Sequence, residues 1–507
     1  MERVKSKTDH PPKRAAGVLL PVSSLSGDYG IGTLGAAARR FVDFLQAAGQ
    51  RYWQVLPVGP SGGGHSPYQS VSAFAGNPLF IDPQTLYEKG LLEKSERCEV
   101  PEASGVVDFE RVEALCFARL RAAFQRSKHQ QEPIFRAFCA RQSLWLSDYA
   151  LFMAVKAHVG GAAWNDWEGG IKQRTPAAME RYKRLLRAEI EFWKFVQYEF
   201  FSQWSALKRY ANDAGIRIVG DIPLYVSGDS VDTWVNRDIF LMDGEGKMTC
   251  VGGVPPDDFS DEGQNWNVPV YDWAQLEATD FVWWERRMAA AAELYDIVRI
   301  DHFIGLARYY SIAGVNAPAS NGQWKKGPGM KLLRAIERSV PLERLIAENL
   351  GVHMEEAVQL LRKSGLPGMN VLAFAFDQKP NNANLPHNFT KNSVVYGGTH
   401  DNDTLRGYLE NDPRAHRQIA EYLGRAPEET GVWDIVRMGY ASVADTAIFQ
   451  MQDYLALGGE ARMNVPGTIG GKNWRWRVRE DQLNDKLARR MRDMAQQYGR
   501  TKYSQFT

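Results

Sequence analysis

VRIDHF, residues 298–303, is an apolar run cut off by Asp301 and His302. Two further runs share its form: LIAENLG, 345–351, with Glu348, and VVYGGTHDND, 394–403, with His400 and Asp401. Apolar stretches of about four residues that end in Asp, Glu or His read as interior parallel strands, which deliver their last side chains to one end of a barrel. Barrel enzymes keep their chemistry at that end.

The segments around these runs repeat a helix-then-strand pattern. In 36–57, Phe41, Phe44, Leu45 and Ala48 fall at helical spacing, Gly49 stops the helix, and RYWQVLPV follows as a strand. The pattern returns in FSQWSALKRYANDAGIRIVGDIP, where Asp221 ends the strand, in FVWWERRMAAAAELYDIVRIDHF, and in MEEAVQLLRKSGL before NVLAFAF. Alternation of this kind argues for parallel βαβ units. Candidate strands lie near 16–20, 52–56, 216–221, 297–301, 344–348, 371–376, 394–399 and 461–465. They would close a (β/α)8 barrel, an α/β fold, of which ARMNVPG at 461 is the weakest strand.

Two excursions interrupt the alternation. The first, about 85–210, is helical, and FRAFCARQSLWLSDYALFMAVKAHVG and RYKRLLRAEIEFWKFVQYEFFSQW each carry an apolar face. The second, about 222–275, is rich in Gly, Pro, Asp and Trp and reads as loop-rich, with a lid at 252–262. Both would hang from the catalytic end as insertions and wall a cleft. The basic stretch 1–14 reads as a tail preceding a single catalytic barrel, 15–507.

Composition excludes several function classes. Of 507 residues 44% are hydrophobic and 24% charged, which is globular. Lys plus Arg number 61 against 60 Asp plus Glu, so no global field attracts nucleic acid or anionic membranes. No apolar run reaches the roughly 18–20 residues of a membrane span, and no apolar core follows the basic amino terminus as a secretory signal requires. Cys98, Cys116, Cys139 and Cys250 form no Cys-x-x-Cys pair, which suits idle thiols in a reducing cytoplasm. The Gly62–Gly64 run lacks the Lys-Ser/Thr ending of a phosphate loop. Fifteen Trp and twenty Tyr are mostly core, but several stand in Gly/Pro-rich loops beside polar groups, where a sugar would suit them.

Residues two apart on a strand share a face, so Arg299 and Asp301 point together. A guanidinium favours the ionised form of a neighbouring carboxylate, as a nucleophile needs, although a structural salt bridge reads equally well. Glu348 follows Leu345, Ile346 and Ala347 without a basic neighbour two positions away, so an apolar setting would keep it protonated as an acid. An ionised carboxylate beside a protonated one is the pairing glycoside hydrolysis requires, although Glu348 taken alone reads more readily as an ion-pair partner. His400 and Asp401 follow Gly397–Gly398, where a bare backbone admits a ligand, or they form a capped turn. Asp301, His302, His400 and Asp401 also admit a metal reading, but tight ligand spacing such as His-x-His is absent, and neither metal nor cofactor is expected. Tyr68 in GGHSPYQS is placed as an aromatic platform, and 252–273 mixes Pro255, Pro256, Asp257, Asp258, Gln264 and Trp266 in a lid-like loop.

AGVLLPVSSLSGDYGIGTLG, SPYQSVSAFAGNPLFIDPQTL, GDIPLYV, GGVPPDDFS, VRIDHFIGL, AENLG, GTHDNDT and MNVPGTIGGKNWRWR span almost the whole chain. Together they resemble the 4-α-glucanotransferases of the amylomaltase type, glycoside hydrolase family 77, to which plant disproportionating enzyme is related. The resemblance implies a barrel with helical insertions, no carboxy-terminal β-sandwich, and retaining double displacement. It implies transfer of a 1,4-α-glucan segment to the 4-hydroxyl of glucose or another glucan through a glycosyl-enzyme. On it Asp301 matches the nucleophile, Glu348 the general acid/base and Asp401 the transition-state stabiliser. Tyr68, Asp221, Arg299, His302 and His400 match sugar-contacting positions, with Ser66, Gln264, Trp266 and Asn464 beside them. Gly253, Pro255, Pro256, Asp257, Asp258 and Phe259 match a mobile loop arching over bound glucan. The chain departs at GQNWNVPVYDW, where the family reads closer to GQLWGNPLYDW, which leaves Trp266 aligned. The expected partners are maltooligosaccharides and longer α-1,4-glucans, for a monomer or weak homo-oligomer. A retaining α-glucan hydrolase and a non-catalytic glucan-binding protein stay open as alternatives, since acceptor preference rests on closure and desolvation rather than on a motif.

Overall fold

A computed structural model describes residues 14–97, 99–100, 105–256, 262–351 and 354–501. Its strands are β1 Ala15–Leu19, β2 Tyr52–Gln54, β3 Arg217–Ile222, β4 Cys250–Val254, β5 Gln264–Pro269, β6 Ile297–Ile300, β7 Arg308–Ala313, β8 Gly322–Lys326, β9 Leu345–Ala347, β10 Gly368–Val371, β11 Ser393–Tyr396 and β12 Thr446–Gln450. Eight of them close a barrel in the order β1-β12-β11-β10-β9-β6-β3-β2. Every barrel pairing is parallel. The (β/α)8 fold read from the sequence is the fold of the protein.

Side chains alternate along each strand, and polarity inside the barrel rises toward the carboxyl ends. Tyr52, Val219, Ile346, Met369 and Val394 fill the interior as an apolar cluster. One step higher stand Gln54, Asp221 and Arg299, all buried, with Tyr396 donating to Gln54 Oε1 at 2.8 Å. The outward alternates, such as Val18, Trp53, Ile218 and Val395, pack under the surrounding helices. Polar residues can be buried here because the layer satisfies itself.

Two barrel strands lie elsewhere than the sequence suggested. The eighth is β12, not 461–465. TAIFQ is buried from Ala447 onward and in register with both neighbours, whereas Gly459–Ala461 forms a 3-10 turn and Arg462–Val465 a loop. The sixth is 368–371 rather than 371–376, because its pairing with β11 ends at Val371↔Tyr396 and Leu372–Phe374 turns as 3-10 helix.

The excursion 222–275 is not all loop. β4 and β5 form a hairpin that pairs through β7 with β8 in an antiparallel sheet of order β5-β4-β7-β8. Half of that sheet lies after Asp301 in the chain, so local composition carried no sign of it. Of the expected lid, Gly253 sits within β4 beside a bulge and Pro255 and Pro256 leave its end, while Asp257, Asp258 and Phe259 lie outside the described residues. The first excursion is helical, as Phe109–Arg126, Leu146–His158 and Pro176–Leu185 show. The helix Arg187–Asp213 runs across its expected end at 210 and leads into β3. Arg14 is tied down, donating to the carbonyls of Ser442 at 3.0 Å and Tyr440 at 3.1 Å, while 1–13 and Cys98 lie outside the described residues. No described helix is long and apolar enough to cross a membrane.

Candidate active site

The β3–β6–β9 register assembles the centre. Asp221 stands opposite Arg299, and Ile300 stands opposite Ala347, so Asp301 and Glu348 emerge side by side from adjacent strands. Arg299 Nη1 reaches both oxygens of Asp221 at 2.7 Å and Oδ1 of Asp301 at 2.9 Å, while its Nε lies 3.4 Å from Met369 Sδ. Burial alone would lower the pKa of this guanidinium, but Asp221 and Asp301 raise it well above its ordinary value. It is a fixed cation at the floor of the site. Asp301 remains 26% exposed toward the mouth, and its Oδ2 has no partner among the described residues.

Glu348 has a different setting. Its Oε2 accepts from the backbone N–H of His302 at 2.7 Å and its Oε1 from that of Leu350 at 2.6 Å. Burial pushes its pKa up to about 7, with the Asp301 charge adding and Arg299 opposing. The site therefore holds one carboxyl gripped by a guanidinium and another tuned to carry a proton near neutral pH.

The third carboxyl arrives from across the barrel. After Tyr396 the chain turns at Gly397, where a Cβ would meet Phe449 at 2.8 Å and Leu405 at 2.9 Å, so a larger residue would force those side chains to shift. His400 and Asp401 follow, with Nε2 and Oδ2 3.4 Å apart. Asn464 Nδ2 donates to Asp401 Oδ1 at 2.7 Å, and Arg462 Nη2 to the Asp401 carbonyl at 2.6 Å. Partial desolvation would raise the Asp401 pKa, but His400 and Asn464 bring it down to about 2. In return burial, which opposes the His400 cation, is outweighed by Asp401, and the imidazole pKa rises.

Aromatic rings line both sides. Tyr68 Oη donates to Asp221 Oδ2 at 2.8 Å, and its ring stacks on His400 with centroids 4.9 Å apart and 19° between planes. Trp474 lies beside both, 6.0 Å from Tyr68 and 5.8 Å from His400. On the other side His302, in a left-handed backbone conformation at φ 51°, meets Trp266 edge-on at 4.9 Å. Burial lowers the His302 pKa to about 4, so it works as a neutral hydrogen-bonding group. Trp266 is held in turn by Gln264 Oε1 at 3.1 Å.

The structure thus gathers Tyr68, Asp221, Arg299, Asp301, His302, Glu348, His400, Asp401 and Asn464 at one mouth, with Gln264 and Trp266 joined through His302. Ser66 accepts from Tyr68 N at 3.3 Å and shapes the turn that carries that ring. Sequence reasoning missed Arg462, Trp474 and Met369. The stretch ARMNVPG holds Arg462, but read as a strand it hid a loop that clamps the Asp401 turn. Trp474 lay in KNWRWR, whose two tryptophans looked alike until the fold turned one toward the site.

Comparison with known proteins points to one family. A family model described as 4-alpha-glucanotransferase, glycoside hydrolase 77, matches residues 20–483. A 4-alpha-glucanotransferase from Clostridium butyricum is 44% identical over 484 residues, covering 94% of this chain and 99% of its own. One from Thermus thermophilus is 45% identical over 496 residues, covering 95% and 98%. Among solved structures, amylomaltase from Streptococcus agalactiae in complex with acarbose superposes with a TM-score of 0.92 at 38% identity, covering 96% of this chain and 100% of that one.

Proposed function

Since the chain belongs to the 4-alpha-glucanotransferase family, glycoside hydrolase 77, we propose that it moves segments of α-1,4-glucan between chains by retaining double displacement, with Asp301, Glu348 and Asp401 as its working carboxyls. One observation carries this reading: Glu348, its pKa raised to about 7, emerges beside Asp301, which Arg299 grips. Neighbouring positions on adjacent strands suit retention, which needs the two carboxyls about 5–5.5 Å apart rather than the roughly 6.5–9.5 Å of inversion.

Asp301 attacks the anomeric carbon while Glu348 protonates the departing oxygen, so a glycosyl ester forms and the glycosidic bond breaks. Glu348, now a base, takes the proton from the 4-hydroxyl of an incoming glucan, whose oxygen displaces Asp301. Asp401, with its low pKa and its place across the mouth, answers the positive charge that develops on the sugar ring between these steps. Neutral His302 and His400, whose pKa Asp401 raises, hold hydroxyls on either side. Trp266 stands beside His302 at the mouth, where excluding water would favour a sugar acceptor. The free thiols of Cys116, Cys139 and Cys250 suit a reducing cytoplasm.

Maltotriose alone is the test. Glucose together with maltopentaose and longer chains, without net gain in reducing ends, is the expected result; glucose and maltose with rising reducing ends would assign a hydrolase instead.

A further inference from the structure

The Arg462 guanidinium bridges two segments that carry the third carboxyl and its partner. Its Nε donates to the Asn464 carbonyl at 2.8 Å and its Nη2 to the Asp401 carbonyl at 2.6 Å. These two nitrogens form one edge of a planar group, so their N–H bonds stay parallel and both carbonyls must meet them at once. Two further bonds join the same segments. Asn464 N donates to the His400 carbonyl at 3.1 Å, and Asn464 Nδ2 to Asp401 Oδ1 at 2.7 Å. The result is a closed ring of hydrogen bonds in which the guanidinium is the rigid member.

Both sides of that ring are anchored. Ala461 and Met463, which flank Arg462, are 2% and 1% exposed. The Ala461 carbonyl accepts from Gln452 Nε2 at 3.2 Å and the Met463 carbonyl from Trp474 N at 2.8 Å. Farther along, the chain leaves the core, and Ile469 is 91% exposed. On the other side, Thr399 N donates to Asn402 Oδ1 at 2.8 Å, and Leu405 N to the wholly buried Asp453 Oδ1 at 2.8 Å. Asp401 sits between these fixed points, and Arg462 ties its peptide to the anchored loop.

What Arg462 supplies here is geometry rather than acidity. Its donors meet the Asp401 carbonyl, not the carboxyl. Burial opposes ionisation of that carboxyl, and His400, Asn464 and Arg299 overcome it.

We propose that Arg462 is a positioning residue of the transfer reaction, fixing where Asp401 stands against the developing charge and thereby setting kcat rather than glucan affinity. The proposal rests on the reading of Asp401 as the stabiliser of that charge. A charge that exists only in the transition state rewards a well-placed carboxylate there and not in ground-state binding, so a displacement of about 1 Å costs about a hundredfold in rate.

The test uses the full chain with Arg462→Lys, which keeps the charge and loses the fork, and Arg462→Gln, which loses both. In each, kcat for maltotriose should fall about a hundredfold while KM stays within about twofold of wild type and circular dichroism stays that of the folded chain. A kcat within about threefold of wild type in Arg462→Lys overturns the role. So does a KM that rises at unchanged kcat, which would place Arg462 in glucan binding instead. A double-mutant cycle separates positioning from plain support of the fold. Asp401→Asn removes the group through which Arg462 acts, so adding Arg462→Lys to it should slow turnover no further. A second loss of about a hundredfold in the double variant would show Arg462 acting elsewhere and refute the proposal. A wild-type protein inert toward maltotriose refutes the parent reading, whereas an active one whose kcat survives Arg462→Lys refutes the positioning role alone.

Discussion

Raising the pH from 6 to 9 should silence the enzyme through one proton on Glu348. With a pKa of about 7 the group is roughly 90% protonated at pH 6 and about 1% at pH 9, so kcat/KM for maltotriose should fall about ninety-fold. The same proton affects stability. Its ordinary value is 4.5 and its folded value about 7, so the folded chain binds the proton more tightly. The resulting contribution is complete below about pH 4.5, shrinks as the pH rises and is gone above about 7, a change of about 3 kcal/mol. The assay follows glucose release from maltotriose between pH 5 and 10, with urea unfolding of wild type and Glu348→Gln at pH 5 and pH 8. The glutamine variant should be inactive and lose much of the pH dependence of its stability over that window. His400 supplies the control, because Asp401 raises its pKa and it also sheds a proton on the alkaline side. A His400→Gln variant should retain an alkaline limb near 7. A profile flat to pH 9, or a limb that vanishes with His400 and not with Glu348, would refute the assignment.

Arg299→Met should strand the wholly buried Asp221 carboxylate without its cation, lowering unfolding free energy by about 3–5 kcal/mol, and adding Asp221→Asn should recover much of the loss; urea titration of the three proteins checks this. Asn464→Ala removes the 2.7 Å bond to Asp401 and should raise its pKa above 2, moving the acid limb of kcat/KM upward while the folded structure, read by circular dichroism, persists. Gly220→Ala would place a Cβ 2.0 Å from the Tyr295 ring, and the overpacking should cost about 1–3 kcal/mol or more, seen as a lower Tm.

The sequence by itself determined the barrel and most of its chemical equipment. VRIDHF, LIAENLG and VVYGGTHDND could be read because an interior parallel strand is apolar on both faces, so its end on an acidic residue is a local signal. Arg299 and Asp301 were likewise legible as a pair, because strand alternation fixes which residues share a face. Signals that depend on distant partners were not legible. TAIFQ and ARMNV are equally short, and only pairing with β1 and β11 chooses the former as the closing strand. The sheet formed by β4, β5, β7 and β8 joins segments on either side of the nucleophile strand, which no window of sequence contains. Arg462 and Trp474 became site residues only when the loop freed from the strand role folded over the Asp401 turn. The tuning of the carboxyls also belonged to tertiary structure. Charge and burial act through space, so the contrast between Glu348 at about 7 and Asp401 at about 2 came from which groups the closed barrel set around each.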